Sequence, residues 1–144
     1  MSMKIYFAGS IRGGRDDAQL YYKIVKHLQD KFGQVLTEHV ASLDVKESGE
    51  QMDSVEIHDR DMAWLTDANV LVAEVTQPSL GVGYEIGRAV EMKKPILCLF
   101  RPSSGKHLSA MIGGAVNIPN MTVKYYEEAE VINVINEYFA ALQK

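Results

Sequence analysis

Two periodicities alternate along the chain. Runs of apolar and β-branched residues over 4–8, 34–37, 69–75, 95–100 and 122–125 have the length and character of strands, whereas the intervening stretches repeat apolar side chains at helical spacing. Helices are expected over 16–32, 51–67 and 80–93, with a closing helix from 127 onward. Such alternation predicts the α/β class: a five-stranded parallel sheet in a three-layer α/β/α sandwich, wound in the flavodoxin-like, Rossmann-like manner. In that winding, ligands bind beyond the carboxyl ends of the strands where the strand order reverses, which brings the loops after the first and third strands together. Those two loops are the glycine-rich ones here.

Length and charge narrow the picture. The 144 residues are 47% hydrophobic, enough for one core, and no proline-rich, serine-rich or highly charged stretch divides them, so a single domain is expected over 1–144. A net charge of -4 argues against a nucleic-acid partner, because backbone binding draws on clustered Lys and Arg. Cys98, the one cysteine, lies in an apolar run and reads as a buried thiol. Nothing resembles a secretory leader or a membrane span, so a soluble cytoplasmic protein is expected, its nuclear share undetermined. His27, His39, His58 and His107 are scattered without metal-ligand spacing, and neither a metal nor a redox cofactor is expected.

The most informative stretch is Val75-Thr76-Gln77-Pro78-Ser79-Leu80-Gly81-Val82-Gly83-Tyr84-Glu85-Ile86-Gly87-Arg88-Ala89. Pro78-Ser79 breaks the third strand and offers Ser79 as a helix N-cap, which places Glu85 in the early turns of the next helix. There the helix dipole is expected to favour an ionised carboxylate, and free N–H groups can hold a phosphate oxygen. Gly81, Gly83 and Gly87 each weaken the helix by roughly 1 kcal/mol against Ala, so something must approach the backbone closely there, either a ligand or the sheet itself. The loop Gly9-Ser10-Ile11-Arg12-Gly13-Gly14-Arg15 combines inward-turning N–H groups, a hydroxyl and guanidinium groups, which suits a phosphate, although a plain strand-to-helix turn has similar composition. Neither loop has the Walker A pattern or the dinucleotide fingerprint, which favours a monophosphate.

A second carboxylate emerges from helix geometry. Ile57, Trp64, Leu65 and Ala68 form one apolar stripe with Asp61 in its middle, while Asp59, Arg60 and Asp67 are expected to point elsewhere. A carboxyl on a buried face is either paired structurally or kept for chemistry. If Asp61 shares a pocket with Glu85, the expectation is an ionised Glu85 beside a protonated Asp61, a nucleophile and an acid. Such a pair suits displacement at an anomeric carbon through an oxocarbenium-like transition state.

At this point the chain resembles the 2'-deoxynucleoside 5'-phosphate N-hydrolases, within the nucleoside 2-deoxyribosyltransferase-like superfamily. The resemblance runs through Tyr6-Phe7-Ala8-Gly9-Ser10-Ile11-Arg12-Gly13-Gly14-Arg15, Leu36-Thr37-Glu38-His39-Val40-Ala41, the 61–65 segment, the run over 72–89, and the stretches 94–102 and 108–112. The connection over 42–55 and the tail after Ile112 diverge. The resemblance implies that Glu85 is the nucleophile, Asp61 the acid/base partner and Tyr6 the residue whose hydroxyl orients the nucleophile. It further implies that Ser10, Ile11, Arg12, Gly14 and Ser79 hold the 5'-phosphate with Gly81 nearby. Ser109 would reach the phosphate from the neighbouring subunit of a homodimer, with Met111 close to the nucleobase. His39 is either a base-side contact or a structural histidine.

The implied reaction is hydrolysis of a 2'-deoxynucleoside 5'-monophosphate to free base and 2-deoxyribose 5-phosphate through a covalent glycosyl-enzyme. Transfer of deoxyribose between bases is a second reading within the same chemistry. A non-catalytic nucleotide-sensing or receiver-like module is a third, although a receiver needs acidic residues where this chain has Gly9, Ser10 and Arg12.

Overall fold

The computed structural model of the protein describes residues 3–11, 17–41 and 52–143. Its five strands are β1 (Met3–Ala8), β2 (Gly33–Val35), β3 (Val70–Glu74), β4 (Ile96–Phe100) and β5 (Met121–Tyr125), all parallel, in the order β2-β1-β3-β4-β5. The helices are α1 (Ala18–Lys31), α2 (Ser54–Asp67), α3 (Leu80–Glu91), the single turn α4 (Ala110–Gly113) and α5 (Val131–Leu142). The expected α/β class and five-stranded parallel sheet are present. No helix among the described residues is long and apolar enough to cross a membrane.

Strand alternation splits the core in two. Ile5 and Phe7 of β1 with Val70 and Val72 of β3 pack under α1 and α5, whereas Tyr6, Ala8, Leu71 and Ala73 pack under α2 and α3. β3 and β4 are buried throughout, as central parallel strands covered on both faces must be. β1 pairs with β3 from Ile5↔Val70 to Ala8↔Ala73, so the chain leaves these adjacent strands in opposite directions and their ends part.

Local chemistry explains where the elements end. β2 stops before Thr37 because that hydroxyl replaces the ladder, accepting from the Phe7 N–H at 2.8 Å and donating to the Phe7 carbonyl at 2.6 Å. The closing helix begins later than expected: Glu128–Glu130 form a 3-10 turn before α5. Between β4 and β5 the structure adds 3-10 turns at Pro102–Ser104 and Gly114–Asn117 and the short α4, none of which shows a long enough period to be read in advance.

At the end of β1, Gly9 lies against the ring of buried Tyr21 on α1, whose hydroxyl accepts from the Ser10 N–H at 3.1 Å. A Cβ on Gly9 would sit 2.8 Å from the Tyr21 Cζ. Gly9→Ala is therefore expected to cost about 1–3 kcal/mol through forced repacking, read as a lower urea midpoint with unchanged m-value.

Candidate active site

A cleft of about 320 Å³ opens between α2 and α3 at the carboxyl end of β1. Tyr6, Ile11, His39, Asp61, Ser79, Gly81 and Glu85 line it together. Ser10 does not line it; it is fully buried between Gly9 and Ile11, which do. Arg12 and Gly14 fall outside the described residues. Ser109 and Met111 lie elsewhere, on a second groove of about 700 Å³ between α3 and the α4 segment.

Each functional side chain has a local reason for its place. Ser79 caps α3, its Oγ accepting from the Val82 N–H at 3.2 Å, so the helix starts where Pro78-Ser79 ends the strand. Glu85 then falls one and a half turns into α3 and faces back over β1. Tyr6 points to the same side of the sheet, and its hydroxyl donates to Glu85 Oε2. Asp61 comes from the facing helix α2, where Arg60 grips its Oδ1 through Nε at 3.0 Å and Nη2 at 2.9 Å. Arg60 also stands over the Trp64 ring at 4.7 Å, and its Nη2 lies 3.3 Å from His39 Nε2.

The electrostatics reverse one expectation. Burial pushes the Glu85 carboxyl up to about 7, the Tyr6 hydrogen bond opposes this, and the nearby negative charge of Asp61 adds to it. The α3 dipole does not hold Glu85 ionised because the effect fades beyond the first helical turn. Asp61, expected to be the desolvated, protonated member, is instead the one paired with a guanidinium. Tyr6 itself is driven far up, first by burial and then by the Glu85 charge, so its hydroxyl keeps its proton and remains a donor.

Arg60 is the residue that sequence reasoning misplaced. It stands four positions before Trp64 and three after Ile57, so it flanks the apolar stripe, and its length swings the guanidinium into the cleft. His58 and Tyr84 were also missed. They line the cleft on opposite helices, with His58 Nε2 2.9 Å from the Tyr84 hydroxyl. The signal that could have found them is their position one turn from Asp61 and next to Glu85.

The glycines settle differently from the sheet-packing explanation. A Cβ on Gly83 or Gly87 would meet nothing within 4 Å, so the sheet does not require them; both instead line the second groove. Among the described residues there is no group of three His, Cys, Asp or Glu side chains that could hold a metal ion.

Two carboxylates from facing helices, one held by a phenol and raised toward neutrality, meet in the cleft of this α/β fold, an arrangement chemically able to perform displacement at a glycosidic carbon. The chain belongs to the nucleoside 2-deoxyribosyltransferase family, whose model matches residues 5–134. It is 60% identical over 143 residues to a 5-hydroxymethyl-dUMP N-hydrolase of Danio rerio, with 99% of each chain covered. It is 55% identical over 139 residues to the 5-hydroxymethyl-dUMP N-hydrolase of Homo sapiens, covering 95% of this chain and 79% of that one. Among solved structures, the CMP N-glycosidase of Clostridium botulinum superposes with a TM-score of 0.72 over 94% of this chain and 99% of that one; at 18% identity the likeness is one of fold.

The raised Glu85 carboxyl has a cost in stability. Between its ordinary value of 4.5 and about 7 the folded protein keeps a proton that the unfolded chain has released, so stability falls as pH rises through that window. Glu85→Gln removes the charge. The variant is expected to be more stable than the parent above pH 7 by about 1–3 kcal/mol, a difference that vanishes below pH 4.5, as read by urea unfolding at both pH values.

Proposed function

We propose that the protein hydrolyses the N-glycosidic bond of 2'-deoxynucleoside 5'-monophosphates, releasing the free base and 2-deoxyribose 5-phosphate. The observation that carries this reading is the convergence of Glu85 and Asp61 on one cleft with the Tyr6 hydroxyl on Glu85. The names of the relatives from Danio rerio and Homo sapiens support it and make 5-hydroxymethyl-dUMP the first substrate to test.

In the proposed mechanism Glu85 attacks C1' while Asp61 protonates the departing base, and Asp61 then activates the water that opens the glycosyl-enzyme. Tyr6 holds one carboxylate oxygen of Glu85 and leaves the other to face the sugar. A sugar without a 2'-hydroxyl reaches the cationic transition state more readily. Ile11, Ser79 and Gly81 mark the phosphate end of the cleft, with Ser10 behind them and Arg12 and Gly14 following in sequence. His39 sits against Arg60 and the Trp64 ring, on the α2 side of the cleft.

A homodimer completes the reading. Ser109 and Met111 lie on the second groove, where Leu80 is 96% and Met111 82% exposed, and Gly83 and Gly87 leave the α3 backbone open. Ser79 lines both cavities, so a partner seated on the groove would bring its own Ser109 toward the phosphate end. Deoxyribosyl transfer between bases is the second reading, favoured by the description of the matching family.

Chromatography after incubation with deoxy- and ribonucleoside monophosphates, with and without a second free base, separates these readings. Hydrolysis is expected to release base without forming the exchanged nucleotide; binding without release would leave a sensor. Glu85→Ala is expected to lower turnover by at least a thousandfold with substrate affinity retained, and near-normal turnover would remove Glu85 from the mechanism. Because Glu85 must be ionised to attack, kcat/KM should rise with pH through about 7. Asp61→Asn should lower turnover and move that limb to more acid pH, since it removes the like charge, whereas Tyr6→Phe should move it to more alkaline pH. Limbs that do not move would count against the pairing.

For the dimer, Ser109→Ala should raise KM by roughly tenfold with little change in kcat, the scale of one lost charge-assisted hydrogen bond. Mixing Ser109→Ala with Glu85→Ala subunits should restore wild-type-like KM in the sites that carry an intact Glu85 and the partner's intact serine. No recovery in subunits shown to exchange would speak against the shared pocket.

A further inference from the structure

Glu74 is a fully buried carboxylate that the proposed reaction does not use. It ends β3 and turns to the α1/α5 side of the sheet, away from Glu85. Its Oε1 accepts from the Thr76 N–H at 2.9 Å, and its Oε2 accepts from the Thr76 hydroxyl at 2.8 Å and the Tyr126 hydroxyl at 2.6 Å. Arg101, the first residue beyond β4, places Nε 3.8 Å from Glu74 Oε2 and gives its own N–H to Thr76 Oγ1 at 3.0 Å. Its Nη2 reaches Asp17 at 2.6 Å. Asp17 stands at the N-cap of α1 but makes no side-chain bond to that helix; its carboxylate is committed to Arg101 instead.

Stability alone gives little reason to keep such a group. Burying an ion pair is often no better than burying apolar side chains of the same volume, and losing one member leaves a costly orphan. What the network does achieve is geometric. The turn after β3 is tied through Thr76 just ahead of Ser79, and the N-cap of α1 is tied to Arg101 through Asp17, while Tyr21, whose N–H bonds the Asp17 carbonyl at 2.9 Å, holds the Ser10 N–H. Ser10 and Ser79 are among the residues assigned above to the phosphate.

We infer that Glu74 and Arg101 are positioning residues for the phosphate end of the cleft: from behind the sheet they set the turn that carries Thr76 toward Ser79 and, through Asp17 and Tyr21 of α1, the place of Ser10. Preference for a monophosphate over the unphosphorylated nucleoside then depends on two side chains that touch neither. The inference rests on the proposed phosphate subsite, and its test keeps the two apart.

Wild type, Arg101→Gln, Arg101→Lys and Tyr126→Phe are compared for hydrolysis of a deoxynucleoside monophosphate, with inorganic phosphate as competitor and thermal melting as the check on folding. Arg101→Gln is expected to raise both KM and the inhibition constant of phosphate by tenfold or more, with kcat within threefold. Arg101→Lys, which keeps the charge and loses the planar fork, should show a smaller shift in the same direction, as should Tyr126→Phe. A phosphate inhibition constant unchanged across folded variants overturns the inference, as does a fall in kcat at constant KM. Should Arg101→Gln not fold, Arg101→Lys and Tyr126→Phe decide it by the same two constants. A wild type that releases no base, or that phosphate does not inhibit, overturns the underlying reading instead.

Discussion

The site depends on β1 lying directly beside β3 in the sheet. From that contact, continuous from Ile5↔Val70 to Ala8↔Ala73, the chain departs toward α1 on one face and α3 on the other. The strand ends part and no element among the described residues fills the gap, while α2, which follows β2 in the chain, lies alongside α3. Tyr6, Asp61 and Glu85 meet there although they come from three different elements. A parallel sheet wound in any other order would separate them.

Within that cleft the competition is between desolvation and compensation. Glu85 is buried enough to be raised toward neutrality, and a phenolic donor partly offsets the effect. Asp61 has the guanidinium of Arg60 at hydrogen-bond distance and remains partly exposed. Two carboxylates of the same chemistry thus stand in different surroundings, one desolvated and held by a phenol, the other paired with a guanidinium.

The two faces of the sheet divide the work. On the α2/α3 face the two acids line the cleft; on the α1/α5 face Glu74, Thr76, Tyr126, Arg101 and Asp17 form a network that does not line it. α3 serves both the cleft and the second groove. Its Glu85 edge closes the first, and its glycines with exposed Leu80 open onto the second. Gly83 and Gly87 meet no contact among the described residues that would require a glycine there.

Local pattern was enough for much of this. The strand and helix periods specify a parallel α/β fold because a half-buried helix and a doubly buried strand each impose a distinct spacing of apolar residues, and Pro78-Ser79 marks the start of α3 through cap chemistry. The motif runs carried Glu85, Asp61 and Tyr6 as candidates. The short turns over 101–120 escaped, since single turns have no period to detect. Which carboxylate is raised, why Arg60 enters the cleft, and how Glu74 finds Arg101 and Asp17 were decided only in three dimensions. Burial and charge pairing are sums over neighbours that the chain brings together from distant positions, and no window of sequence contains them.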